Sequence, residues 1–219
     1  MTWNVRSLRD DRLAVTRVIA GCAPDVLFVQ EAPRFLRAQS KLASLARDSG
    51  LVVAAGGRPA AGVALLVNLR LDVDAPANHR LTKTPGLHQR GLAAATLSLG
   101  DLRFTAASTH LGLKGDERER HASEIEQILA SRQLPSAIGG DFNERSDGPA
   151  WAAFARGRTD VGTAADLPTF SAIDPRRRID TILVPSSWTV TPISPLDIVD
   201  ETDLIRATDH RPVITDVVG

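Results

Sequence analysis

The chain has a single cysteine, Cys22, no tyrosine at all, and only 4% aromatic residues. One cysteine cannot form an internal disulfide, and its place in an apolar helical pattern favours buried packing over a redox role. The longest apolar run, residues 62–69, is far too short to span a bilayer. The N-terminus also lacks the apolar core of a signal peptide. We therefore expect a cytoplasmic protein with no membrane partner.

An excess of charge of one sign is missing as well, because 26 basic and 26 acidic residues give a formal net charge of zero. A neutral chain argues against a protein that coats nucleic acid through a strongly basic face, although a local basic patch stays open. No Ser/Gly-rich, Pro-rich or like-charge block divides the 219 residues, and no repeat is evident. We expect one domain over 1–219 and a monomer.

The apolar pattern changes between helical and strand-like spacing along the chain. Helical spacing predicts helices at 11–22, within 34–49, at 116–132 and, more briefly, at 147–157. Short apolar runs predict strands at 25–30, 51–55, 62–68, 92–99, 102–110, 136–141, 178–184 and 211–218. Gly100 and Asp101 between two of these runs indicate a hairpin. The mixture predicts an α/β fold with two stacked mixed sheets and helices outside.

Polar residues that can bind metal or move protons recur at or near the ends of six strand-like segments, five of those above and the opening residues 1–3. They are Asn4, Glu31, His110, Asp141, Asn143, Asp180, Asp209 and His210. A fold that gathers these strand ends at one edge would assemble carboxylates, amides and two histidines in one pocket.

Each residue also has an explanation without chemistry. Asn and Asp are favoured in turns, a lone histidine is more often a satisfied structural residue, and His79, His88 and His121 lie in polar stretches typical of a surface. Asp180 is hardest to explain in this way. Its apolar neighbours predict burial, and a buried carboxylate needs a charged or hydrogen-bonding partner.

Six motifs, TWNVRSL, DVLFVQE, STHLG, GGDFNE, RIDTILV and TDHRPV, occur in an order that resembles the endonuclease/exonuclease/phosphatase superfamily. This superfamily includes DNase I-like nucleases and apurinic endonucleases. The resemblance implies a four-layered α/β sandwich and a divalent metal, Mg²⁺ or Mn²⁺. It also implies that Glu31 is the principal metal ligand, with Asn4 and Asp209 close by. Carboxylates suit such a hard cation.

The same resemblance implies catalytic roles for five other residues. Asp141 and Asn143 resemble the pair that positions the attacking water and the phosphate. His210 resembles the catalytic histidine, oriented by Asp180, and His110 resembles the histidine that stabilises the phosphoryl oxygens. A carboxylate beside an imidazole fixes its tautomer and stabilises its cation. The residues alone leave open whether His210 or Asp141 takes the proton from water.

The predicted activity is metal-dependent hydrolysis of a phosphodiester or a phosphomonoester, and nucleic acids and nucleotides are among the candidate substrates. Arg90 and Arg178 are candidate phosphate-binding residues. The chain lacks the active-site tyrosine of the apurinic endonucleases and the Trp-Cys-Asp-Arg signature of the inositol polyphosphate phosphatases. Two alternatives remain: a DNA endonuclease or exonuclease of the same superfamily, and a non-catalytic binding module on this fold.

Overall fold

The computed structural model describes residues 1–163 and 167–219. The helices are α1 (Arg12–Cys22), α2 (Ala38–Asp48), α3 (Gly115–Ser131), α4 (Pro149–Phe154) and α5 (Glu201–Ala207). None of these helices, in the part of the chain described, combines the length and the apolarity that crossing a membrane requires. The strands are β1 (Thr2–Asn4), β2 (Val26–Gln30), β3 (Val52–Gly57), β4 (Val63–Val67), β5 (Asp72–Arg80), β6 (Gly91–Leu99), β7 (Leu102–His110), β8 (Ser136–Asp141), β9 (Arg158–Asp160), β10 (Asp180–Pro185), β11 (Thr189–Ile193) and β12 (Ile214–Val218).

The strands form two large mixed sheets and a small ribbon. The first sheet has the order β1-β2-β4-β3, with β1 and β2 parallel and the other neighbours antiparallel. The second has the order β5-β6-β7-β8-β10-β9, in which only β7 and β8 pair in parallel. The ribbon pairs β11 with β12. The predicted mixed character of the sheets is therefore confirmed.

Three apolar clusters separate four layers. One cluster joins α1, α2 and α5 to the first sheet through residues such as Val15, Leu45 and Trp3. The second fills the space between the two sheets, where Phe28 contacts residues of the second sheet. The third joins the second sheet to α3 and α4, around Trp151. This helix–sheet–sheet–helix order places the opposed sheet faces, and any polar residue on them, in the interior.

The predicted helices and strands recur close to their expected positions, including the hairpin between β6 and β7, in which Leu99 pairs with Leu102. The sequence patterns missed β5, β9, β11 and α5. β5 lies at a sheet edge and is largely exposed, with Pro76 in a bulge between Asp74 and Ala77. An exposed edge strand with a proline has no period-two alternation to recognise.

Close approach of the sheets depends on the absence of a side chain at Gly139. A Cβ atom at Gly139 would lie 2.4 Å from Cδ2 of the Phe28 ring. We predict that Gly139→Ala costs about 1–3 kcal/mol of unfolding free energy, because overpacking must displace a buried ring. The melting temperature should fall by roughly 2–4 °C for each kcal/mol.

Gly115→Ala is the matched control. A Cβ atom at Gly115 would meet only Nη2 of Arg118, at 3.7 Å. This variant should keep the parental melting temperature or exceed it slightly, since alanine favours the helix. Equal melting temperatures for Gly139→Ala and the parent would contradict the packing explanation.

Candidate active site

Three of the predicted residues lie in one row across three adjacent strands. In the register of the second sheet, Asp141 is paired with His110 of β7 on one side and with Asp180 of β10 on the other. Side chains alternate along a strand, and Asp180 shares its face with Ile182, which packs between the sheets. All three side chains are buried. The row therefore faces the first sheet at the end of the layer between the sheets.

Asp141 is the centre of the polar cluster. Its Oδ2 atom accepts a hydrogen bond from Nδ2 of Asn4 at 3.0 Å, and its Oδ1 atom accepts one from the backbone N–H of Asn143 at 3.0 Å. Nε2 of His110 lies 3.3 Å from Oδ2, and Nε2 of His210 lies 3.8 Å from the same atom. Asn4 ends β1 of the opposite sheet, so this carboxylate joins the two sheets.

His210 and Asp180 form the predicted pair. Nδ1 of His210 lies 2.9 Å from Oδ2 of Asp180. The ring contacts Phe170 with a centroid distance of 5.0 Å, and Nε1–H of Trp3 donates to the backbone oxygen of His210 at 2.8 Å. These contacts fix the imidazole so that Nε2 faces Asp141. Oδ1 of Asp180 is buried and has no hydrogen-bond partner among the described residues.

Burial and the neighbouring charges shift the pKa values of this cluster in different directions. Burial, reinforced by the charge of Asp180, raises the pKa of Asp141 to about 7. Burial lowers the pKa of His210, but the charge and the hydrogen bond of Asp180 outweigh this effect and raise the value to about 9. Burial holds the pKa of His110 well below its usual value. At neutral pH one imidazole is therefore charged and the other neutral.

Asn143, in the turn after β8, contacts His110 of the row. Its backbone has φ of 50°, in the left-handed region that Asn tolerates better than most residues. Its Nδ2 group donates to the backbone oxygen of Leu111 at 3.0 Å and lies 3.0 Å from Nε2 of His110. Accepting this bond requires an unprotonated Nε2, in agreement with the lowered pKa of His110. The turn after β8 thus holds two polar groups against the end of β7.

Glu31 and Asp209 lie on either side of the loop that follows β1. Glu31 comes directly after β2 with φ of 52°, and its backbone oxygen accepts from the N–H of Ser7 at 2.7 Å. Oδ2 of Asp209 lies 3.5 Å from Nε of Arg6, whose backbone N–H donates to Oδ1 of Asn4 at 3.1 Å. Both carboxylates are only partly buried. The loop therefore lies against the backbone of Glu31 on one side and the carboxylate of Asp209 on the other.

The cluster offers two sets of atoms that could hold a cation. The predicted set, Glu31, Asn4 and Asp209, provides oxygen ligands only. In a second set, ligand atoms of Asp141, Asp180 and His210 all lie within 4.8 Å of one another. The oxygen-only set suits a hard divalent cation. In the second set His210 already uses Nδ1 to contact Asp180.

Arg90 precedes β6 at the same edge and is half-buried. Its Nε atom is buried and has no hydrogen-bond partner among the described residues. Burial lowers the pKa of Arg90, while the carboxylates of Asp141, Glu117 and Glu31 act in the opposite direction. The guanidinium of Arg90 therefore interacts electrostatically with the carboxylates of the cluster, and its Nε–H group is not used in a hydrogen bond among the described residues.

The structure contradicts the expectation that Arg178 belongs to this cluster. Its guanidinium is buried, contacts Asp160 at 2.9 Å and stacks over the Trp151 ring at 4.8 Å. Both partners lie on the side of the sheet that packs against α3 and α4, opposite the face that carries Asp180. The predicted strand began at residue 178, but β10 begins at Asp180, so the alternation of sides does not extend to Arg178.

Two further features were missed by sequence reasoning. Glu144, directly after Asn143, is buried; it accepts from the N–H of Trp151 at 2.8 Å and pairs with Nε of Arg118 at 3.0 Å. Arg118 also donates to the backbone oxygen of Leu113 at 2.8 Å, so this ion pair ties together the turns that carry His110 and Asn143. A glutamate ending the GGDFNE motif was the available signal.

The second feature is a wrong prediction: His121 is not a surface residue. It is 1% exposed, and its Nε2 atom lies 2.8 Å from the backbone oxygen of Thr82. Glu119 and Arg120 beside it belong to the outer face of α3, whereas His121 shares the buried face with Glu117 and Ile125.

Comparisons with known proteins agree with this geometry. The profile of the Endonuclease/Exonuclease/phosphatase family matches residues 1–210. No curated protein sequence gives a significant match. The row, the facing Asn4 and the His210–Asp180 pair thus lie within the matched region.

Solved structures show the same fold. A mannosyl-6-phosphatase from Bacteroides thetaiotaomicron VPI-5482 is 17% identical with a TM-score of 0.77, over 100% of this chain and 98% of that one. An endonuclease/exonuclease/phosphatase from Bacteroides vulgatus is 18% identical with a TM-score of 0.79, over 99% and 97%. The human Nocturnin catalytic domain is 17% identical with a TM-score of 0.67, over 94% and 85%. The profile match and the shared DNase I-like fold show that the chain belongs to the endonuclease/exonuclease/phosphatase family.

Proposed function

We propose that the chain is a divalent-metal-dependent phosphoesterase that hydrolyses a phosphodiester or a phosphomonoester with water. The observation that carries this proposal is the row of His110, Asp141 and Asp180, with His210 and Asn4 closing on it from other elements. A binding module has no need to bury two carboxylates and two imidazoles together, because burying charge is costly unless function or pairing retains it.

We assign the metal to Glu31, Asp209 and Asn4. The donor set is made of oxygens, as a hard cation requires. A divalent cation held there would supply positive charge that neutralises the phosphate oxygens. The group of Asp141, Asp180 and His210 is the competing donor set, and a metal titration of variants separates the two.

The protein's own residues then handle the proton and the phosphate. Nε2 of His210 and the carboxylate of Asp141 face each other at 3.8 Å, close enough for one water to contact both. Asp180 orients His210 and stabilises its cation. We assign the positioning of the phosphoryl group to Asn143 and His110, whose side chains contact each other at 3.0 Å. Acid–base catalysis supplies a rate factor of roughly 10²–10⁴. We expect electrostatic stabilisation of the transition state to supply the larger part of the total rate acceleration.

Arg90 is the remaining candidate for substrate binding. Its guanidinium is planar, offers five donors, and has an unsatisfied Nε–H near Asp141 and Glu31. A phosphate entering between these groups would receive those donors. The structural neighbour from Bacteroides thetaiotaomicron is named a mannosyl-6-phosphatase, which supports a small phosphate ester as the substrate over a long nucleic acid.

The first prediction concerns the metal. Glu31→Gln should lower Mg²⁺ or Mn²⁺ affinity at least tenfold, roughly 1.4 kcal/mol, and abolish activity without lowering the melting temperature, since it removes a charged ligand at constant size. Calorimetric metal titration measures the affinity. Glu119→Gln, which neutralises an exposed carboxylate on α3, is the control and should match the parent. If Asp180→Asn instead weakens binding and Glu31→Gln does not, the metal belongs to the second donor set.

The second prediction treats Asp180 and His210 as one unit. Asp180→Asn and His210→Ala should each lower kcat strongly, by roughly 10²-fold or more, and the double variant should lose little beyond His210→Ala, because the carboxylate acts through the imidazole. Rate constants at saturating metal measure this coupling. Multiplicative losses in the double variant would disprove the unit.

Asp160→Asn provides the matched control for that cycle. Asp160 pairs with Arg178 and Thr181 on the opposite face of the sheet. Its substitution should lower the melting temperature, as removal of one partner from a buried ion pair does, and leave kcat near the parental value. This pattern is the one expected of a structural acid, whereas Asp180→Asn should lower kcat strongly.

The third prediction concerns the substrate. Small phosphoesters such as bis-p-nitrophenyl phosphate or p-nitrophenyl phosphate should be turned over faster than supercoiled plasmid, and any nicking of plasmid should fall steeply with added salt. A neutral chain makes few phosphate contacts, and those contacts are salt-sensitive. Initial rates across a salt series test this, and rapid, salt-resistant nicking would favour the nuclease.

A further inference from the structure

Large apolar side chains are strongly exposed on the loops around the candidate active site. Phe35, Leu36, Leu113 and Ile173 are 79%, 82%, 76% and 74% exposed. Isolated exposed apolar residues are common on protein surfaces, but a group of them around a functional site marks an interaction surface. We call these four residues the apolar rim.

Each member of the rim lies close to a residue of the site, either along the chain or through a backbone hydrogen bond. Phe35 and Leu36 follow Glu31 by four and five positions, and Leu113 follows His110 by three. Ile173 follows Ala172, whose backbone N–H donates to the backbone oxygen of Asp209 at 2.8 Å. Two loops that leave residues of the site, and a third that is hydrogen-bonded to Asp209, therefore present apolar side chains to solvent.

The exposed charges on these three loops are mainly positive. Arg37 adjoins Leu36, Lys114 adjoins Leu113, and Arg176 and Arg177 follow Ile173, all of them exposed. Among the described residues of these loops, the exposed acid is Asp174, which is paired with Arg176 at 2.7 Å. Every loop of the rim thus combines an apolar side chain with a cation within a few residues.

We infer that the apolar rim docks on an anionic lipid surface and turns the active site towards it. Apolar side chains at such a surface enter the boundary between headgroups and acyl chains, while neighbouring cations contact the anionic headgroups. Arg and Lys suit this position because their stems pack on apolar groups and their charges stay in water. Combined with the phosphoesterase activity proposed above, docking would bring the site to the phosphate esters of that surface.

The alternative partner, single-stranded nucleic acid, fits the rim less well. Such proteins combine a basic groove with several aromatic side chains on which successive bases stack. This chain has no tyrosine, and Trp3, Trp151 and Trp188 are buried. Phe35 is the one aromatic side chain of the rim, whereas three of its members are aliphatic. Aliphatic side chains enter a lipid interface but offer bases no stacking face.

The inference revises the expectation of no membrane partner. That expectation rested on the absence of an apolar run long enough to span a bilayer, and peripheral docking needs no such run. The exposure of Phe35 and Leu36 was not visible in the sequence, because the predicted helix within 34–49 covers both residues. The helix begins only at Ala38, which leaves both side chains on the preceding loop.

Co-sedimentation with vesicles tests the docking directly and needs no metal or turnover, so its outcome is independent of the proposed activity. We expect the parent chain to bind phosphatidylcholine vesicles containing phosphatidylglycerol at least tenfold more tightly than phosphatidylcholine alone. The double variant Phe35→Ser/Leu36→Ser should lose roughly tenfold or more in affinity for the anionic vesicles, with an unchanged melting temperature because both side chains are exposed.

Leu69→Ser is the matched control. Leu69 is 78% exposed, but it follows β4, whose last residue Val67 pairs with Val26 at the start of β2, so it lies at the opposite end of the first sheet. This variant should bind as the parent does. The inference is overturned if the parent does not bind anionic vesicles, or if Leu69→Ser loses as much affinity as the double variant. Binding of a single-stranded oligonucleotide that depends on Phe35 and Leu36, without vesicle binding, would assign the rim to nucleic acid instead.

Discussion

The pairing register of β7, β8 and β10 is the constraint on which the site depends. It sets His110, Asp141 and Asp180 side by side on one sheet face, and a shift of one residue in either pairing would move a side chain to the other face. The register is held by apolar residues of β8 and β10 that alternate between the inter-sheet core and the core under α3 and α4. Catalytic geometry and core packing are thus fixed by the same alternation.

Close packing of the two sheets completes the site and buries its ionisable groups, which costs free energy. The glycine at 139 lets Phe28 approach the second sheet closely, and Asn4 reaches across to Asp141 at 3.0 Å. Burial then raises the pKa of Asp141 to about 7 and lowers that of His110. For His210, the charge and the hydrogen bond of Asp180 outweigh the effect of burial and raise the pKa. Buried carboxylates and imidazoles with strongly shifted pKa values are typical of acid–base sites.

Much of the fold and of the site could be predicted from sequence because strand cores and their polar ends are local signals. Glu31 after an apolar run and Asp141 after another are visible in this way, and six ordered motifs indicated the family. The position of Arg178 could not be predicted, because it precedes the start of β10 at Asp180 and the alternation of sides along the strand does not extend to it. β5 was missed for a different reason: it is an exposed edge strand whose stability comes from pairing with β6.

The apolar rim illustrates the same limit at the surface. Leu113 and Ile173 are ordinary apolar letters in the sequence, and only the end of β7 and the contact of Ala172 with Asp209 place them beside the site. Their exposure is a property of loops, which lie on the surface and commonly carry binding functions on a rigid scaffold. A rigid pair of sheets thus holds the polar row, while the loops that leave it determine what can approach.

The most direct test of the central claim is the rate of bis-p-nitrophenyl phosphate hydrolysis by the parent chain and by Asp141→Asn, each measured with Mg²⁺ or Mn²⁺ and again with a chelator. Asp141 contacts or faces Asn4, Asn143, His110 and His210, so a neutral amide in its place removes the charge at the centre of the row without changing its size. The account predicts metal-dependent turnover by the parent and a loss of roughly 10³-fold or more in the variant. Turnover that survives the chelator, or a variant as active as the parent, would contradict it.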